Sequence, residues 1–482
     1  MGTIVAVIDK KGEDATNAAV TMLKSLSAEI EICKLATSAI TRIEKSLKPL
    51  ENAYMRSPIL VGQIVSKTCS NTMAKCVQPK TNLVFEGHVY YENRASFDTF
   101  VTKEQNDEKR AAKLIKQADG DFTFIFPTSD HLIAGRDPSG VCPLYYGENA
   151  FFAALASERK ALWKIGVKET ASFPPGHIAS VSREGFCFKP IKTLANQPKI
   201  KKINLSAAVR MLQALLKKSV YGRVKDLKEV VVAFSGGLDS SIVAWLAKNS
   251  NVTVSLIYVS LRKQPETQSA KQAAEALGLP LNIFEYDEKD LERVLQDVLW
   301  AIETPDPLAV SIAVPMYWAS EKATRLGYEV MLAGQGADEL FGGYKRYVEC
   351  YIRQGIKETQ RMIANDILRL HETNIERDQK ICNHHGVELR LPFAEYNISR
   401  FALDLPLKLK IEPRTLTRKV LLRKTATEMG LPQTIVKKPK KAMQYTTGTT
   451  AALKKIAKKK NIPLRNYLRE MFQKICEEKE ET

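Results

Sequence analysis

The sequence predicts two domains of different type: an α+β domain rich in short strands, followed by an α/β domain with a doubly wound parallel sheet. Three observations support this prediction. Short apolar stretches alternate with turns up to about residue 190, prolines bracket a polar stretch at residues 190–198, and strand, turn and helix then repeat in that order. Repeated βα units favour a mostly parallel sheet with helices on both faces. We therefore predict domains at residues 1–195 and 196–482.

The elements of each domain follow from local patterns. In the first domain, apolar runs between turn residues predict strands at residues 4–8, 83–91, 122–126, 131–134, 151–156 and 178–181, with a helix at 15–26. In the second, strands at 230–234, 252–259, 281–284 and 328–332 each precede a helix, at 240–248, 267–277, 289–302 and from 338 onward. The remaining C-terminal part is expected to be helical.

Composition excludes several classes of protein. The 482 residues are 44% hydrophobic and 26% charged, which is typical of globular domains rather than disorder. No uncharged apolar run reaches the roughly 18 residues that a membrane helix needs. Eight cysteines are scattered without a C-x-x-C pair, so reduced thiols and a cytoplasmic location are expected. The net charge of +18, carried mainly by the second domain, predicts affinity for phosphate-bearing partners.

A phosphate site is predicted where the strand at 230–234 ends. Small residues there leave backbone N–H groups open to an anion, and the dipole of the following helix adds attraction. Asp239 would repel a phosphate unless a cation such as Mg²⁺ lay between them. The loop consists of Ser235, Gly236, Gly237, Leu238, Asp239, Ser240 and Ser241. It matches neither the Walker pattern nor the dinucleotide pattern.

A second glycine-rich turn, at residues 332–344, also follows a strand and contains the acids Asp338 and Glu339. Because ligands of open α/β sheets bind at the carboxyl ends of the strands, the two turns are expected to face each other. Asp239 and Asp338 are then predicted to share one Mg²⁺–pyrophosphate.

These segments resemble known families. The loop at 235–241 resembles the PP-loop of ATP pyrophosphatases, which cleave ATP between its α- and β-phosphates. The turn at 332–344, the stretch E-L-R-L-P-F at 388–393 and K-K-P-K at 437–440 resemble, in this order, motifs of the asparagine synthetase family. The resemblance covers about residues 205–445. It implies an adenine nucleotide α-hydrolase-like fold and an AMP-forming amide ligase that uses ATP and Mg²⁺, adenylates a carboxylate, with aspartate expected, and transfers the acyl group to ammonia or another amine.

The resemblance also implies roles for individual residues. Lys440 would assist the leaving pyrophosphate, and Glu339, Gln335 and Arg390 would complete the catalytic set. Tyr344 and Glu388 would line the acyl side. The nucleotide would be bound by Ser235, Gly236, Gly237, Asp239, Ser240, Ser241 and Gly334, and Mg²⁺ by Asp239 and Asp338.

One residue departs from the family. Asparagine synthetases usually have Glu at the position of Gln335, and Glu can accept a proton from an incoming ammonium whereas Gln can only form hydrogen bonds. Either water or Glu339 then serves as the base, or the acceptor amine differs. Two alternatives therefore stay open: a lactam-forming or tRNA-modifying ligase with another acyl substrate, and a scaffold protein that has lost catalysis.

The first domain resembles the class II glutaminase domain of the Ntn fold, through residues 136–147, 156–162 and 174–177. The resemblance implies an αββα sandwich. That family uses a cysteine at the mature N-terminus, where this chain has Gly2, and Glu86 stands in the segment that forms the oxyanion hole. A carboxylate there would repel a developing oxyanion, so we predict no glutaminase activity.

A cluster of lysines lies near the end of the chain. Such spacing is typical of a solvated helix face, and binding of a polyanion such as tRNA is the alternative. Nucleic acid and a homodimer thus stay open as partners, while no membrane partner is expected. The cluster consists of Lys454, Lys455, Lys458, Lys459 and Lys460.

Overall fold

The computed structural model describes residues 2–26, 30–51, 55–66, 82–90, 107–194, 199–412, 414–438 and 447–480. The chain divides into two compact units, Met1–Thr193 and Leu194–Thr482. A search of these described ranges finds no helix that is long and apolar enough to cross a membrane.

The first unit contains two antiparallel sheets and short helices. The larger sheet has the order β10-β8-β9-β1-β4-β2-β3 and the smaller β12-β11-β7-β6-β5. The strands are β1 (Gly2–Asp9), β2 (Ile30–Ala36), β3 (Thr41–Glu44), β4 (Ile59–Ser66), β5 (Val84–Val89), β6 (Gly120–Pro127), β7 (Leu132–Arg136), β8 (Tyr145–Glu148), β9 (Phe152–Ala156), β10 (Thr170–Ser172), β11 (His177–Ser182) and β12 (Gly185–Pro190). The helices are α1 (Thr16–Ser25), α2 (Lys48–Glu51), α3 (Asp107–Gln117) and α4 (Arg159–Trp163).

Alternation along β1 builds the layers of this unit. Ile4, Ala6 and Ile8 pack with residues of the smaller sheet, such as Ile125, so this face lies between the two sheets. The opposite face, with Val5 and Val7, packs against α1. Since successive side chains of a strand point to opposite faces, one apolar strand serves both layers. Helix α3 covers the outer face of the smaller sheet, and the result is the predicted αββα sandwich.

The second unit is built on a parallel sheet of order β15-β14-β13-β16-β17, flanked by helices. Its strands are β13 (Glu229–Ala233), β14 (Thr253–Leu261), β15 (Leu281–Tyr286), β16 (Val330–Leu332) and β17 (Glu388–Arg390). Its helices are α5 (Leu205–Val224), α6 (Leu238–Lys248), α7 (Glu266–Leu277), α8 (Glu288–Ile302), α9 (Pro307–Arg325), α10 (Ala337–Phe341), α11 (Lys345–Leu368), α12 (Glu376–His384), α13 (Tyr396–Leu403), α14 (Val420–Glu428), α15 (Gln433–Val436), α16 (Thr449–Lys459) and α17 (Leu464–Glu480), with a π-helical turn at His371–Ile375 and 3₁₀ turns at Pro392–Ala394 and Leu407–Leu409.

The sheet of the second unit is buried on both faces. Val230 and Val232 of β13 pack into one core with helices α5 and α6, and Val231 between them is also fully buried. Burial on both faces explains why β13 is a continuous apolar run rather than an alternating one. The strand order reverses direction at β13 and β16, so their carboxyl ends flank the crevice in which such sheets bind ligands.

The predicted fold class is confirmed in both units. Sequence patterns missed β2, β3, β4, β8, β10 and β12 in the first unit and β17 in the second. β3, β8, β10 and β17 have only three or four residues, too few for alternation to stand out, and they are defined by the neighbours with which they pair. That reason does not apply to β2 and β4, which have seven and eight residues. Of the C-terminal lysines, Lys455 and Lys459 both bond to Glu288, with a Lys459 Nζ to Oε2 distance of 2.8 Å. That pairing agrees with the helix-face interpretation of the cluster.

Candidate active site

The loop after β13 is a strained turn that opens onto the N-terminus of α6. Gly236 has φ +64°, and a Cβ on it would lie 2.8 Å from the Cα of Ala270, so a glycine is required there. The Ser235 and Ser240 hydroxyls lie 3.2 Å apart and close the turn. Gly237 caps α6, and Asp239 lies in its first turn. The loop therefore presents backbone N–H groups and one carboxylate at a helix N-terminus, as the sequence predicts.

The second glycine-rich turn approaches this loop closely. A Cβ built on Gly334 would lie 3.0 Å from both the Cβ of Asp239 and the backbone nitrogen of Ser240. A side chain at Gly334 would therefore push the two turns apart. The turn continues through Gly336, with φ +92°, into α10, whose first turn holds Asp338 and Glu339. The structure thus brings together the two turns that sequence analysis expected to face each other.

A lysine bridges the two aspartates. The Lys419 ammonium lies 2.6 and 2.7 Å from the two carboxylate oxygens of Asp239 and 2.6 Å from Oδ1 of Asp338. Its side chain is 1% exposed, and those of the aspartates are 14% and 16% exposed. One cation therefore shares two carboxylates at the point where both turns meet.

No sequence pattern identified Lys419, but its backbone in the structure is unusual. Lys419 is the N-cap of α14 and has left-handed backbone angles, with φ 58°. A cation at a helix N-terminus opposes the helix dipole, and a left-handed lysine is uncommon, so both features disfavour this residue locally. Such local costs concentrate at functional sites. Neither the start of α14 nor the partners of Lys419 were predicted from the sequence.

Lys438, in the lysine-rich segment at residues 437–440, contacts the loop after β13. Lys438 Nζ donates to the carbonyl of Gly236 at 2.9 Å. Arg423 of α14 donates to the carbonyls of Val436 and Lys438, so one helix positions both Lys419 and the backbone of this segment. Lys440 lies outside the described residues, and its predicted contact with pyrophosphate stays a prediction.

On the other flank, Glu339 is held in a buried pocket. Tyr344 donates its hydroxyl to Oε1 of Glu339, and Asn374 Nδ2 donates to the same oxygen at 2.7 Å. Glu339 is 3% exposed. Burial, followed by the nearby Asp338 carboxylate, raises the pKa of Glu339 above its ordinary value. The structure therefore places Glu339 and Tyr344 in direct contact, and their expected roles in catalysis and acyl binding stay predictions.

Gln335 belongs to a network that the sequence did not reveal. Its Nε2 donates to Oδ2 of Asp378 at 2.9 Å, and Arg377 Nε donates to the other carboxylate oxygen at 2.8 Å. Arg377 Nη1 also lies 3.3 Å from Oδ1 of Asn374, which links this network to Glu339. Asn374 lies in the π-helical turn His371–Ile375, a feature that recurs at functional sites. Nothing in the local pattern of residues 374–378 identifies these partners.

Two predicted residues have their side chains committed elsewhere. Arg390 is fully buried and pairs with Oδ1 of Asp226 at 2.8 Å, with Oε1 of Glu388 at 2.7 Å and with the carbonyl of Arg223 at 2.6 Å. A guanidinium held by three partners anchors β17 to the end of α5. We therefore correct the expected roles of Arg390 and Glu388 from catalysis and acyl binding to support of the sheet edge.

Ser241 also needs a correction. Ser241 lies in α6 and is 0% exposed, and its buried hydroxyl has no hydrogen-bond partner among the described residues. Ser235, by contrast, is exposed at the mouth of the loop. The helical period turns Ser241 away from the loop opening, so it does not present its hydroxyl to a phosphate.

The carboxylates of Asp239 and Asp338 suit a Mg²⁺ ion whose remaining ligands are water and substrate oxygens. The described residues contain no group of three or more His, Cys, Asp and Glu side chains that would hold a metal ion by themselves. Mg²⁺ is usually bound by one or two carboxylates together with water and substrate phosphates. Asp239 lies in the loop after β13 and Asp338 in the facing glycine-rich turn, so this pair of carboxylates fits that pattern.

The first unit contains a second acidic cluster, around Cys142. Burial and the carboxylates of Glu86, Asp137 and Asp121 raise the pKa of the Cys142 thiol well above its ordinary value. Glu86 is 1% exposed and accepts a hydrogen bond from the Ser157 hydroxyl. The predicted oxyanion segment therefore holds a buried carboxylate.

Comparison with known proteins gives the same division. The asparagine synthase family model matches residues 211–358 and 351–477, and the glutamine amidotransferase domain model matches residues 80–164. A putative glutamine-hydrolysing asparagine synthetase of Methanocaldococcus jannaschii is 32% identical in an alignment of 394 residues, and the match covers 72% of this chain and 72% of the relative. A glutamine-hydrolysing asparagine synthetase of Oryza sativa subsp. japonica is 28% identical over 64% of this chain, and one of Zea mays is 29% identical over 62%. The match covers about half of the length of these two relatives, 54% and 52%.

Among solved structures, the glutamine phosphoribosylpyrophosphate amidotransferase of B. subtilis covers 58% of this chain and 65% of its own, with 15% identity and a TM-score of 0.30. The family assignment rests on the sequence matches, which span the PP-loop, the second glycine-rich turn and Lys419. The chain therefore belongs to the asparagine synthase family, whose members are ATP-dependent ligases.

Proposed function

We propose that this chain is an AMP-forming amide ligase that adenylates a carboxylic acid, with aspartate expected, and transfers the acyl group to ammonia or another amine. The observation that carries the proposal is the pairing of two glycine-rich turns whose carboxylates, Asp239 and Asp338, lie within 2.7 Å of one shared cation. Such an arrangement suits a triphosphate better than a neutral ligand, because backbone N–H groups and cations converge on it.

The chemistry has two steps. A carboxylate oxygen of the acid attacks the α-phosphorus of ATP, the bond between that phosphorus and the bridging oxygen breaks, and pyrophosphate leaves. The amine nitrogen then attacks the acyl carbon, the carbon–oxygen bond to AMP breaks, and one proton is lost from nitrogen. Charge grows on the leaving groups in both steps, so cations fixed beside them lower the barrier.

Residues of the two turns have distinct parts in this scheme. The N–H groups of Gly236 and Gly237 and the Ser235 and Ser240 hydroxyls bind phosphate oxygens, and Gly334 leaves room for the nucleotide. Asp239 and Asp338 hold Mg²⁺, which supplies charge neutralisation at the departing pyrophosphate when it is bound. Lys419 carries positive charge on the same side, and Lys440 is expected from the family resemblance to assist the departing pyrophosphate.

We assign to Glu339 the role of the base that accepts the proton lost from the amine. Burial raises the pKa of Glu339 above its ordinary value, which makes the carboxylate a stronger base than an exposed glutamate. The Tyr344 hydroxyl and the Asn374 amide orient its carboxylate. Gln335, whose amide nitrogen is committed to Asp378, offers only its carbonyl oxygen to an N–H of the amine.

We further propose that the chain uses no glutamine. The buried Glu86 carboxylate opposes an oxyanion, and Cys142 is a buried thiol with a raised pKa, which keeps it protonated and unreactive. Free ammonia would then supply the nitrogen of any amide product.

The test is exchange of radioactive pyrophosphate into ATP with a panel of carboxylic acids. Exchange that depends on aspartate supports the proposal, and exchange with another acid only supports a ligase of different acyl specificity. No exchange with any acid would favour the scaffold alternative. Asp239→Asn should lower the exchange rate by about 10²–10³-fold, and Asp404→Asn, at an ion pair with the exposed Lys201, is the matched control.

One observation favours an amine other than ammonia as the acceptor of the acyl group. Gln335 presents no carboxylate to an incoming ammonium, so a larger amine, bound through other contacts, is the alternative nucleophile. Single-turnover formation of amide from the adenylate with ammonia and with a panel of primary amines separates the two. Binding of RNA stays a prediction from the basic charge, and the expected homodimer stays a prediction as well.

A further inference from the structure

Lys419 has a position that a flexible surface lysine would not keep. Its ammonium is within 2.7 Å of three carboxylate oxygens from two different turns, and its side chain is 1% exposed. A buried charge is tolerated only when it is paired, and here the pairing is double. The ammonium therefore balances one of the two negative charges that Asp239 and Asp338 bring together.

The backbone around Lys419 is fixed in a way that aims this side chain. Lys419 itself is left-handed, with φ 58°. Arg418 Nη1 donates to the carbonyl of Gly343 at 2.8 Å, and the N–H of Val420 donates to the carbonyl of Lys410 at 3.1 Å. The residues on both sides of Lys419 are thus pinned, one of them to the second glycine-rich turn. An uncommon backbone conformation held from both sides is typical of a positioning role.

Gly343 leaves the space in which the pair forms. A Cβ at this position would lie 1.9 Å from Oδ1 of Asp338 and 2.4 Å from Cε of Lys419. Any other residue would therefore displace either the carboxylate or the lysine. The second turn is shaped for the Lys419–Asp338 contact and not only for the bend of the chain.

The carboxylates that Lys419 holds are the ones that suit Mg²⁺. A divalent ion and an ammonium repel each other, and both need the same oxygens at close range. Among the described residues, Asp239 and Asp338 are the carboxylates that form ion pairs with Lys419, and no cluster of three or more ligands strengthens the metal's hold. A lone Mg²⁺ would have to separate the buried Lys419 ammonium from both of these partners, which is costly. A triphosphate removes that cost because it offers the ammonium new oxygens.

We propose that Lys419 and a divalent cation compete for Asp239 and Asp338, so that the metal enters only together with the triphosphate, which takes over the lysine ammonium. This inference rests on the proposed function, because it assumes that the ligand is a nucleoside triphosphate. It makes Lys419 a positioning residue that sets the order of binding: nucleotide and metal arrive together, and the free protein binds divalent cations weakly.

The test measures Mn²⁺ binding to the full chain without nucleotide, by the electron paramagnetic resonance signal of free Mn²⁺. Lys419→Met, which removes the ammonium and keeps the length, should bind Mn²⁺ at least about tenfold more tightly than the wild type, within the usual range of coupling between two ligands. Lys419→Arg, which keeps the charge, should bind weakly like the wild type. Lys424→Met, at an exposed ion pair with Glu428, is the control and should match the wild type. Adding Asp239→Asn to Lys419→Met should remove the gained affinity.

Equal Mn²⁺ affinity of the wild type and Lys419→Met would overturn the inference. If Lys419→Met does not fold, the wild type itself decides the question by thermal unfolding. Mn²⁺ alone should leave the Tm nearly unchanged, whereas Mn²⁺ with a non-hydrolysable ATP analogue should raise it. An equal rise with Mn²⁺ alone would refute the competition. Failure of the proposed function is distinguishable, because it would appear as absent pyrophosphate exchange while these binding results stand.

Discussion

The two units each gather carboxylates in one place, but the partners of those carboxylates differ. In the first unit, Asp137 accepts backbone N–H groups of Ser139, Val141 and Cys142, and Asp121 accepts the Tyr90 hydroxyl at 3.0 Å. These acids hold loops in place by bonds within the unit. In the second unit, Asp239 and Asp338 are partly exposed and share a side-chain cation.

The difference separates a retained fold from a retained site. Carboxylates that are satisfied by backbone N–H groups cannot exchange partners without unfolding the loop, whereas carboxylates that share a cation can exchange it for another. We infer that the first unit keeps its acids for stability and that the second keeps them for ligands. The following predictions would break or sharpen that contrast.

The largest effect is expected at the shared cation. Asp239→Asn should lower the rate of acid-dependent pyrophosphate exchange by about 10²–10³-fold, because it removes one of the two carboxylates proposed to hold Mg²⁺ beside the leaving pyrophosphate. The Tm should change little, since the Lys419 ammonium keeps the Asp338 carboxylate as its partner. Pyrophosphate exchange and thermal unfolding are the measurements. Full activity of Asp239→Asn would place the catalytic centre elsewhere.

A smaller effect is expected at Arg390, which belongs to the second unit but resembles the acids of the first in being committed to the fold. Arg390→Met should lower the free energy of unfolding by about 3 kcal/mol, because it leaves Asp226 and Glu388 without their buried partner. Urea unfolding measures this, and the apparent KM for ATP of the folded variant should be unchanged. Arg346→Met, at a 56% exposed ion pair with Asp366, should cost less than about 1 kcal/mol. A raised KM for Arg390→Met would return Arg390 to the site.

A third prediction concerns a buried cation without a shared acid. Lys410 is 3% exposed beside a small cavity lined by apolar side chains and Gln360, and burial lowers its pKa to about 7. Since the folded pKa lies below the unfolded value of about 10.4, charging Lys410 destabilises the fold fully below pH 7, and this cost fades as the pH rises toward the unfolded pKa.

Lys410→Met should therefore raise the Tm by about 2–4 °C at pH 6.5, equivalent to about 1 kcal/mol, and by less at pH 9.5. Scanning calorimetry at the two pH values checks this, with the exposed Lys408→Met as control. A gain that grows with pH would contradict the assigned cause.

The smallest effect is expected in the first unit. Gly2→Cys by itself should release no glutamate from glutamine above background, because the carboxylate of Glu86 still opposes an oxyanion. A coupled glutamate dehydrogenase assay measures this. Glutamine turnover by the wild type, or by Gly2→Cys alone, would show that the first unit still has an active site.

Much of the second unit was predictable from the chain. The βα pattern placed Asp239 and Asp338 after parallel strands, and parallel strands must bring their carboxyl ends to one edge. Glu339 and Tyr344 were both expected in the site, but their hydrogen bond to each other was not predicted. Ser241 was misplaced because loop composition does not show which hydroxyl the helical period turns inward. Arg390 was misassigned because its partner Asp226 lies far away in sequence.

The sequence by itself determined the fold class, the two units and the residues of the two glycine-rich turns, because periodicity, turn chemistry and glycine spacing are local properties. The tertiary structure alone decided that Lys419 bridges the two aspartates, that Gln335 is tied to Asp378, and that Arg390 supports the sheet edge. Those contacts join residues that are tens to more than a hundred positions apart. Which distant charges meet depends on how strands and helices pack, and no local pattern encodes that.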